Sequence, residues 1–221
     1  MNQYQDLANS VKLKVKRNRI SILHQDSSLK HIGTGRSAVV FKIQGTNKAI
    51  KIFFPAYEKV AVEEANIYKK LKGIIYYPTL HDYGQNYLVI DYIDGYTLFE
   101  CLTKGIEIKP LYIKETDNAL AKARKVGLTP SDVHIRNIIL TKNGNIKLID
   151  VARFKQSNGC KQWEDLKKAY DKFYIKRCFP KRIPAFILNI IAYLYNIGIV
   201  TFSDYSSKQT FSWKKRIRKS S

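Results

Sequence analysis

Cysteine is scarce in this chain: Cys101, Cys160 and Cys178 are the only three in 221 residues. An odd number at wide spacing forms neither a disulfide framework nor a metal-ligand set, which suits a reducing cytosol and an expected cytoplasmic location. Acidic residues are also few. Lys and Arg outnumber Asp and Glu by 39 to 18, for a formal net charge of +21. This excess says little about the fold, but it attracts polyanions: nucleotide phosphates, RNA or an anionic membrane surface. There is no internal repeat and no low-complexity segment beyond the short basic tail Trp213 to Lys219. The first residues lack the charged-then-apolar pattern of a signal peptide. One long apolar run exists, Ile183 to Phe202, interrupted by Pro184, Asn189, Asn196 and Gly198. A spanning helix needs about 20 apolar residues with fewer interruptions, so a buried core helix is expected, with membrane association the alternative.

Hydrophobic residues at 45% and aromatics at 12% predict a folded globule, and 221 residues are enough for one domain with a sizeable core. Residues 1 to 30 are polar and basic, with alternation at Val11 to Lys16 that predicts a short strand. Next come Gly33 and Gly35 between apolar stretches, a β-branched run through Ala38, Val40 and Ile43, a turn at Gly45, and a returning strand Ala49 to Phe54. Glycines let backbone N–H groups approach and cradle a phosphate, although a plain hairpin turn has the same pattern. Lys51 stands inside the apolar strand, where an ammonium is costly without an anion. From Glu58 to Lys72 the apolar residues recur at helical spacing up to a stop at Gly73. Glu64 lies on their face and needs a cation, for which Lys51 is the candidate. Strand character returns at Tyr87 to Asp91, and helices are expected over Pro110 to Val126 and from Trp163 to about Arg177.

The segment Asp132 to Asp150 has the most chemistry. Asp132 and Asn137 precede an apolar run, Asn143-Gly144 signals a hairpin, and the returning Ile146 to Ile149 delivers Asp150. The hairpin brings Asp150 near Asn137 and Asp132, three oxygen-bearing side chains suited to a hard cation and a phosphate. Taken alone, the same stretch is equally a surface hairpin with polar flanks.

In this order the pieces resemble the protein-kinase superfamily, in its small atypical branch of RIO-like, lipopolysaccharide-kinase-like and aminoglycoside-phosphotransferase-like members. Gly33-x-Gly35-x-x-Ala38-x-Val40 resembles the glycine-rich loop, Ala49-Ile50-Lys51 the Val-Ala-Ile-Lys strand, and Glu64 the helix glutamate paired with that lysine. Asp91 to Ile93 resembles the hinge that binds adenine. Asp132 and Asn137 match the catalytic base and the metal-binding asparagine, and Asp150 matches the Asp of Asp-Phe-Gly. The resemblance covers roughly residues 28 to 170. It implies an α+β, two-lobed fold: residues 1–92 as a small antiparallel lobe with one helix, and 93–221 as a reduced, mainly helical lobe.

The resemblance further implies ATP and Mg²⁺, with Asn137 and Asp150 on the metal. Ile32, Gly33, Thr34, Gly35, Ala38, Val40, Ala49, Lys51, Asp91, Ile93 and Ile139 would surround the nucleotide, and Asp132, Lys51, Glu64 and His134 would be catalytic. Departures bear on the acceptor. Pro130-Ser131 replaces His-Arg before Asp132, His134 stands in the place of the catalytic-loop lysine, and Val151-Ala152 follows Asp150. No Ala-Pro-Glu is present, and Asp165 is the candidate anchor of the catalytic loop. A serine or threonine of a protein is the expected acceptor, and a sugar or lipid hydroxyl is the alternative. A nucleotide-binding pseudokinase and an RNA- or ribosome-associated binder stay open as rivals.

Overall fold

The computed structural model describes residues 3–16, 19–155 and 161–199. Cys160 and the basic tail Trp213 to Lys219 lie outside them, as does the end of the Ile183 to Phe202 run. The fold is α+β, mixing helices with antiparallel sheets.

Five strands make the main sheet: β3 (Leu29–Thr34), β4 (Ala38–Ile43), β5 (Lys48–Phe53), β6 (Leu80–Tyr83) and β7 (Tyr87–Asp91). They are ordered β3-β4-β5-β7-β6, every pair antiparallel. Period-2 alternation sorts the side chains. Val39, Phe41, Ile43, Ile50, Ile52 and Val89 form a buried cluster on one face. Helix α1 (Gln3–Ser10) covers that face with Leu7 and Ala8, beside the hairpin of β1 (Lys12–Lys16) and β2 (Arg19–His24). Each fully buried aliphatic there contributes about 2 kcal/mol. The same alternation turns Ala38, Val40, Ala49 and Lys51 to the opposite face, with Val40 and Lys51 directly paired. Of the first 30 residues, the strand at Val11 to Lys16 is present, whereas α1 and β2 carry no clear sequence signal.

On that opposite face α2 (Glu58–Lys70) packs with Ala61, Ala65, Ile67 and Tyr68, and ends before Gly73, whose φ of 81° no branched residue adopts easily. Strand β8 (Gly95–Thr97) leads into α3 (Leu98–Lys104) through a capping box. The Thr97 hydroxyl accepts from the Glu100 N–H, and the Glu100 carboxylate accepts from the Thr97 N–H. Helix α4 (Pro110–Lys125) follows as expected.

Strands β9 (Ile138–Thr141) and β10 (Ile146–Leu148) form the predicted hairpin. Its loop has three residues, Lys142 to Gly144, with Gly144 left-handed at φ 79°. β8 pairs on β9's other edge, so residues 93–221, expected to be mainly helical, also hold a three-stranded sheet. A Cβ at Gly95 would collide with the Leu140 carbonyl, which is why glycine stands there.

The last elements depart from expectation. Helix α5 (Gln162–Ala169) gives way to a π turn over Tyr170–Tyr174 instead of running on to Arg177. Tyr170 donates to the Ile108 carbonyl and Tyr174 accepts from the Ile108 N–H, and this double clasp holds the wider turn. Helix α6 (Ala185–Asn196) is not the expected core helix: only Leu188 is buried, while Phe186 and Tyr193 are each 64% exposed. Its apolar residues run all round the helix, so a single stripe reaches the core. Among the described residues no helix is long and apolar enough to cross a membrane.

Candidate active site

Lys51 is at the centre of the cleft beneath the main sheet. Its ammonium donates to both oxygens of Glu64, at 3.0 and 2.8 Å, and to Asp150 Oδ1 at 2.8 Å. Glu64 is fully buried, projecting from the inner face of α2 as its helical spacing predicts. Burial alone pushes the Lys51 ammonium toward neutrality, but the charges of Glu64 and Asp150 outweigh it and hold it above the ordinary lysine range. Burial raises Glu64, opposed by Lys51. For Asp150 the net outcome is the opposite: burial pulls up, but the contact with Lys51 overcomes it and holds the carboxyl below the usual range. The three groups form one cation between two carboxylates. The Asp150 side chain remains 49% exposed toward the cleft.

Asp132 and Asp150 are the only non-glycine residues with positive φ among the described residues, each at 57°. Left-handed backbone at two acids of one cleft is local strain maintained by the surroundings. The surroundings are identifiable. The Ser131 hydroxyl donates to the Arg153 carbonyl, and the Thr129 N–H donates to the Phe154 carbonyl. Asn137 links the loop to the hairpin: its N–H donates to the His134 carbonyl, its amide to the Asp132 carbonyl at 3.3 Å, and its own carbonyl accepts from the Ile149 N–H. Arg136 stacks its guanidinium 3.4 Å from the Phe99 ring centre and donates to Asn189 of α6. Asp165 does not anchor this loop. Its carboxylate accepts from the Tyr195 hydroxyl, so it fastens α6 to α5.

The cleft encloses about 530 Å³. Of the expected residues, Lys51, Glu64, Asp132, Asn137 and Asp150 line it. So do Ile32, Gly35, Ala38, Val40, Ala49, Asp91, Ile93 and Ile139. Gly33 and Thr34 are in β3, paired with Val40 and Val39, beside a bulge between His31 and Gly33. His134 stands at the rim, its Nε2 4.0 Å from Asp132 Oδ1 and its Nδ1 accepting from the Arg136 N–H. Burial pushes its imidazole below the ordinary histidine value, against the pull of Asp132 and Asp150. The Asp91 carboxylate accepts from the Thr79 N–H and faces His81 Nε2 at 2.7 Å, bracing the end of β7.

Three cleft residues have no counterpart in the sequence-based expectation. Arg36, from the turn between β3 and β4, reaches Asp132 Oδ2 at 3.3 Å, and Arg153 reaches the same oxygen at 3.4 Å. Tyr68, one helical turn after Glu64, buries its hydroxyl beside the Asp150 backbone, where no well-formed hydrogen bond satisfies it. Arg36 sits between the glycines and Ala38, a position where its charge could have been noticed. Nothing local marks Arg153 or the Tyr68 hydroxyl.

No family profile matches the chain. Curated relatives do. A Bacillus subtilis protein provisionally named serine/threonine-protein kinase YrzF is 48% identical over 176 residues, 79% of this chain and 82% of the relative. A Streptomyces coelicolor protein, also provisionally named a serine/threonine-protein kinase, is 33% identical over 93 residues, 38% of this chain and 14% of its own length. The cAMP-dependent protein kinase type 3 of Saccharomyces cerevisiae is 31% identical over 100 residues, 40% of this chain and 25% of its own. With the first of these sharing nearly half its residues over most of both lengths, the chain belongs to the protein-kinase-like family.

Proposed function

We propose that the protein is an ATP- and Mg²⁺-dependent phosphotransferase, an atypical serine/threonine protein kinase of two lobes divided near residue 92. The observation that carries this reading is the Glu64–Lys51–Asp150 bridge at 2.8 to 3.0 Å in a cleft that also presents Asp132 and Asn137. Lys51 steadies the α- and β-phosphates, and the backbone from Gly33 to Ala38 covers them. Ala38, Val40, Ala49 and Ile139 sandwich the adenine, whose edge reaches the hinge. Among the described residues no backbone hydrogen bond engages Ile93, so its polar groups are available to the base.

A carboxylate and an amide oxygen are hard donors, and Asp150 and Asn137 would hold a Mg²⁺. The metal supplies charge neutralisation at the phosphates. Asp132 takes the proton of the acceptor hydroxyl as its oxygen bonds to the γ-phosphorus. The bond to the β–γ bridging oxygen breaks, and ADP leaves with the electron pair. Phosphoryl transfer needs positioning and charge more than covalent help, so this set of groups is sufficient. His134, whose Nδ1 accepts from the loop's own backbone, supports the loop.

The test is transfer of γ-labelled phosphate with Mg²⁺, beside Lys51→Ala and Asp150→Ala. Label on protein serine or threonine that both variants abolish supports the reading. Nucleotide binding without transfer to protein, sugar or lipid makes the protein a pseudokinase, and failure to bind nucleotide removes the kinase reading altogether. The short link from Asp150 to α5 favours a small-molecule hydroxyl as the second reading, and the sugar and lipid arms decide it.

A further inference from the structure

Asp132 has more positive charge around it than it needs. Arg36 and Arg153 belong to segments far apart in sequence, yet both guanidiniums converge on one oxygen, Oδ2, at 3.3 and 3.4 Å. His134 faces the other oxygen at 4.0 Å. A single carboxylate balances one guanidinium, and the next carboxylate, Asp150, is already bonded to Lys51, so the second guanidinium has no carboxylate of its own at Oδ2. The Asp132 side chain is 21% exposed, while Arg36 and Arg153 are 76% and 46% exposed. The carboxylate is held inward and its cationic partners face solvent. Arg153 springs from a fixed backbone, tied to the Asp132 loop through the Ser131 hydroxyl and the Thr129–Phe154 bond. Arg36 comes from the opposite wall, on a turn closed by the Gly35 N–H to the Ala38 carbonyl at 2.8 Å.

Resting on the phosphotransfer reading, we propose that Arg36 and Arg153 form an anion subsite beside Asp132, selecting an acceptor with a carboxylate or phosphate next to its hydroxyl. The hydroxyl must reach the Asp132 oxygens, and Oδ2 is covered by two donors. A neutral acceptor has to break those pairs without replacing them. An acceptor with an adjacent anion offers each guanidinium a new planar partner as it uncovers Oδ2, and arginine suits such forked recognition of carboxylate and phosphate. The anion belongs to the acceptor and not to ATP, because the arginines converge on the proton acceptor and not on Lys51, which is already bracketed by Glu64 and Asp150.

The experiment pairs binding with turnover, using full-length protein, a non-hydrolysable ATP analogue and Mg²⁺. Serine peptides flanked by aspartate or phosphoserine are compared with alanine-flanked ones by calorimetry, against wild type, R36A/R153A and R36K/R153K. Thermal unfolding checks that each variant folds, as both side chains are exposed. Wild type is expected to bind the acidic peptides about tenfold or more tightly than the neutral one, with the alanine pair erasing the difference and the lysine pair keeping part of it. In turnover the acceptor KM rises about tenfold in the alanine pair, well beyond any change in the ATP KM. Equal binding of acidic and neutral peptides overturns the proposal. A rise in ATP KM with the acceptor KM unchanged overturns it as well, since the arginines then serve the nucleotide. A wild type that transfers phosphate to nothing, yet keeps the charge preference in binding, defeats the phosphotransfer reading and leaves the anion subsite standing.

Discussion

Replacing Lys51 by methionine separates the structural from the chemical role of the bridge. The substitution keeps most of the length of the side chain and removes the cation 2.8 Å from Glu64, whose side chain has no exposure to water. Breaking a buried ion pair from one side costs about 3–5 kcal/mol, because the remaining charge is uncompensated. Glu64 has an escape: burial already raises its carboxyl and Lys51 alone opposes that, so without Lys51 it is driven to take up a proton. The folded variant then binds a proton that the unfolded chain does not hold above the ordinary carboxylate value. Stability is therefore fully present below that value and falls as pH rises toward the raised one, by about 1.4 kcal/mol per pH unit. Near neutrality a loss of about 3 kcal/mol corresponds to about 6–12 °C in melting temperature for a chain of this size. Differential scanning fluorimetry of wild type and K51M between pH 5 and 8 measures it. The gap between them is expected to narrow steadily on the acid side, and K51M/E64L is expected to melt within about 1 kcal/mol of wild type while transferring no phosphate. A K51M gap that is constant across this range refutes the idea that Glu64 is the buried charge left behind.

Tyr68→Phe removes a buried hydroxyl held only weakly beside the Asp150 backbone and is expected to shift stability by no more than about 1 kcal/mol in urea titration, a larger loss refuting that weak contact. Thr97→Ala breaks the capping box and costs about 1 kcal/mol, measured the same way. Gly95→Ala drives a methyl into the Leu140 carbonyl and costs about 1–3 kcal/mol, with loss of β8 pairing visible in hydrogen exchange. Because burial holds His134 below its ordinary range, the unfolded chain binds a proton first on acidification. Its neutral burial therefore contributes stability that is lost as pH falls through that range, and His134→Gln is expected to flatten the decline seen in melts from pH 7 to 5.

What could be read in advance was whatever one segment specifies by itself. The alternation in β4 and β5 already put Ala38, Val40, Ala49 and Lys51 on one face, and the helical spacing of α2 already turned Glu64 toward them. Asn143-Gly144 marked the β9–β10 hairpin, although its loop is one residue longer than the tightest form. Arg36 and Arg153 were not legible as a pair, since their meeting depends on two loops that approach only in the folded chain. Asp165 was misassigned for the same reason: its partner Tyr195 comes from α6, whose position no local pattern specifies. Apolar content suggested that α6 is core, but burial depends on which elements cover a helix, and composition does not reveal that. The capping box at Thr97 and Glu100 stands in the sequence at its usual spacing, but the strand before it has only three residues, too few to show an alternation.

The left-handed backbone at Asp132 and Asp150 has a consequence for how the sequence can change over time. Glycine relieves the torsional cost at both positions, and asparagine fits the same conformation at similar side-chain volume. For folding alone, each exchange sets relief of that torsion against the ion pairs the carboxylate makes, with Lys51 at Asp150 and with Arg36 and Arg153 at Asp132. For the proposed phosphate transfer each would be a dead end, because the carboxylate goes with it. The two positions are thus where backbone torsion and side-chain charge pull in opposite directions, and a lineage released from catalysis loses one of the reasons to bear that torsion.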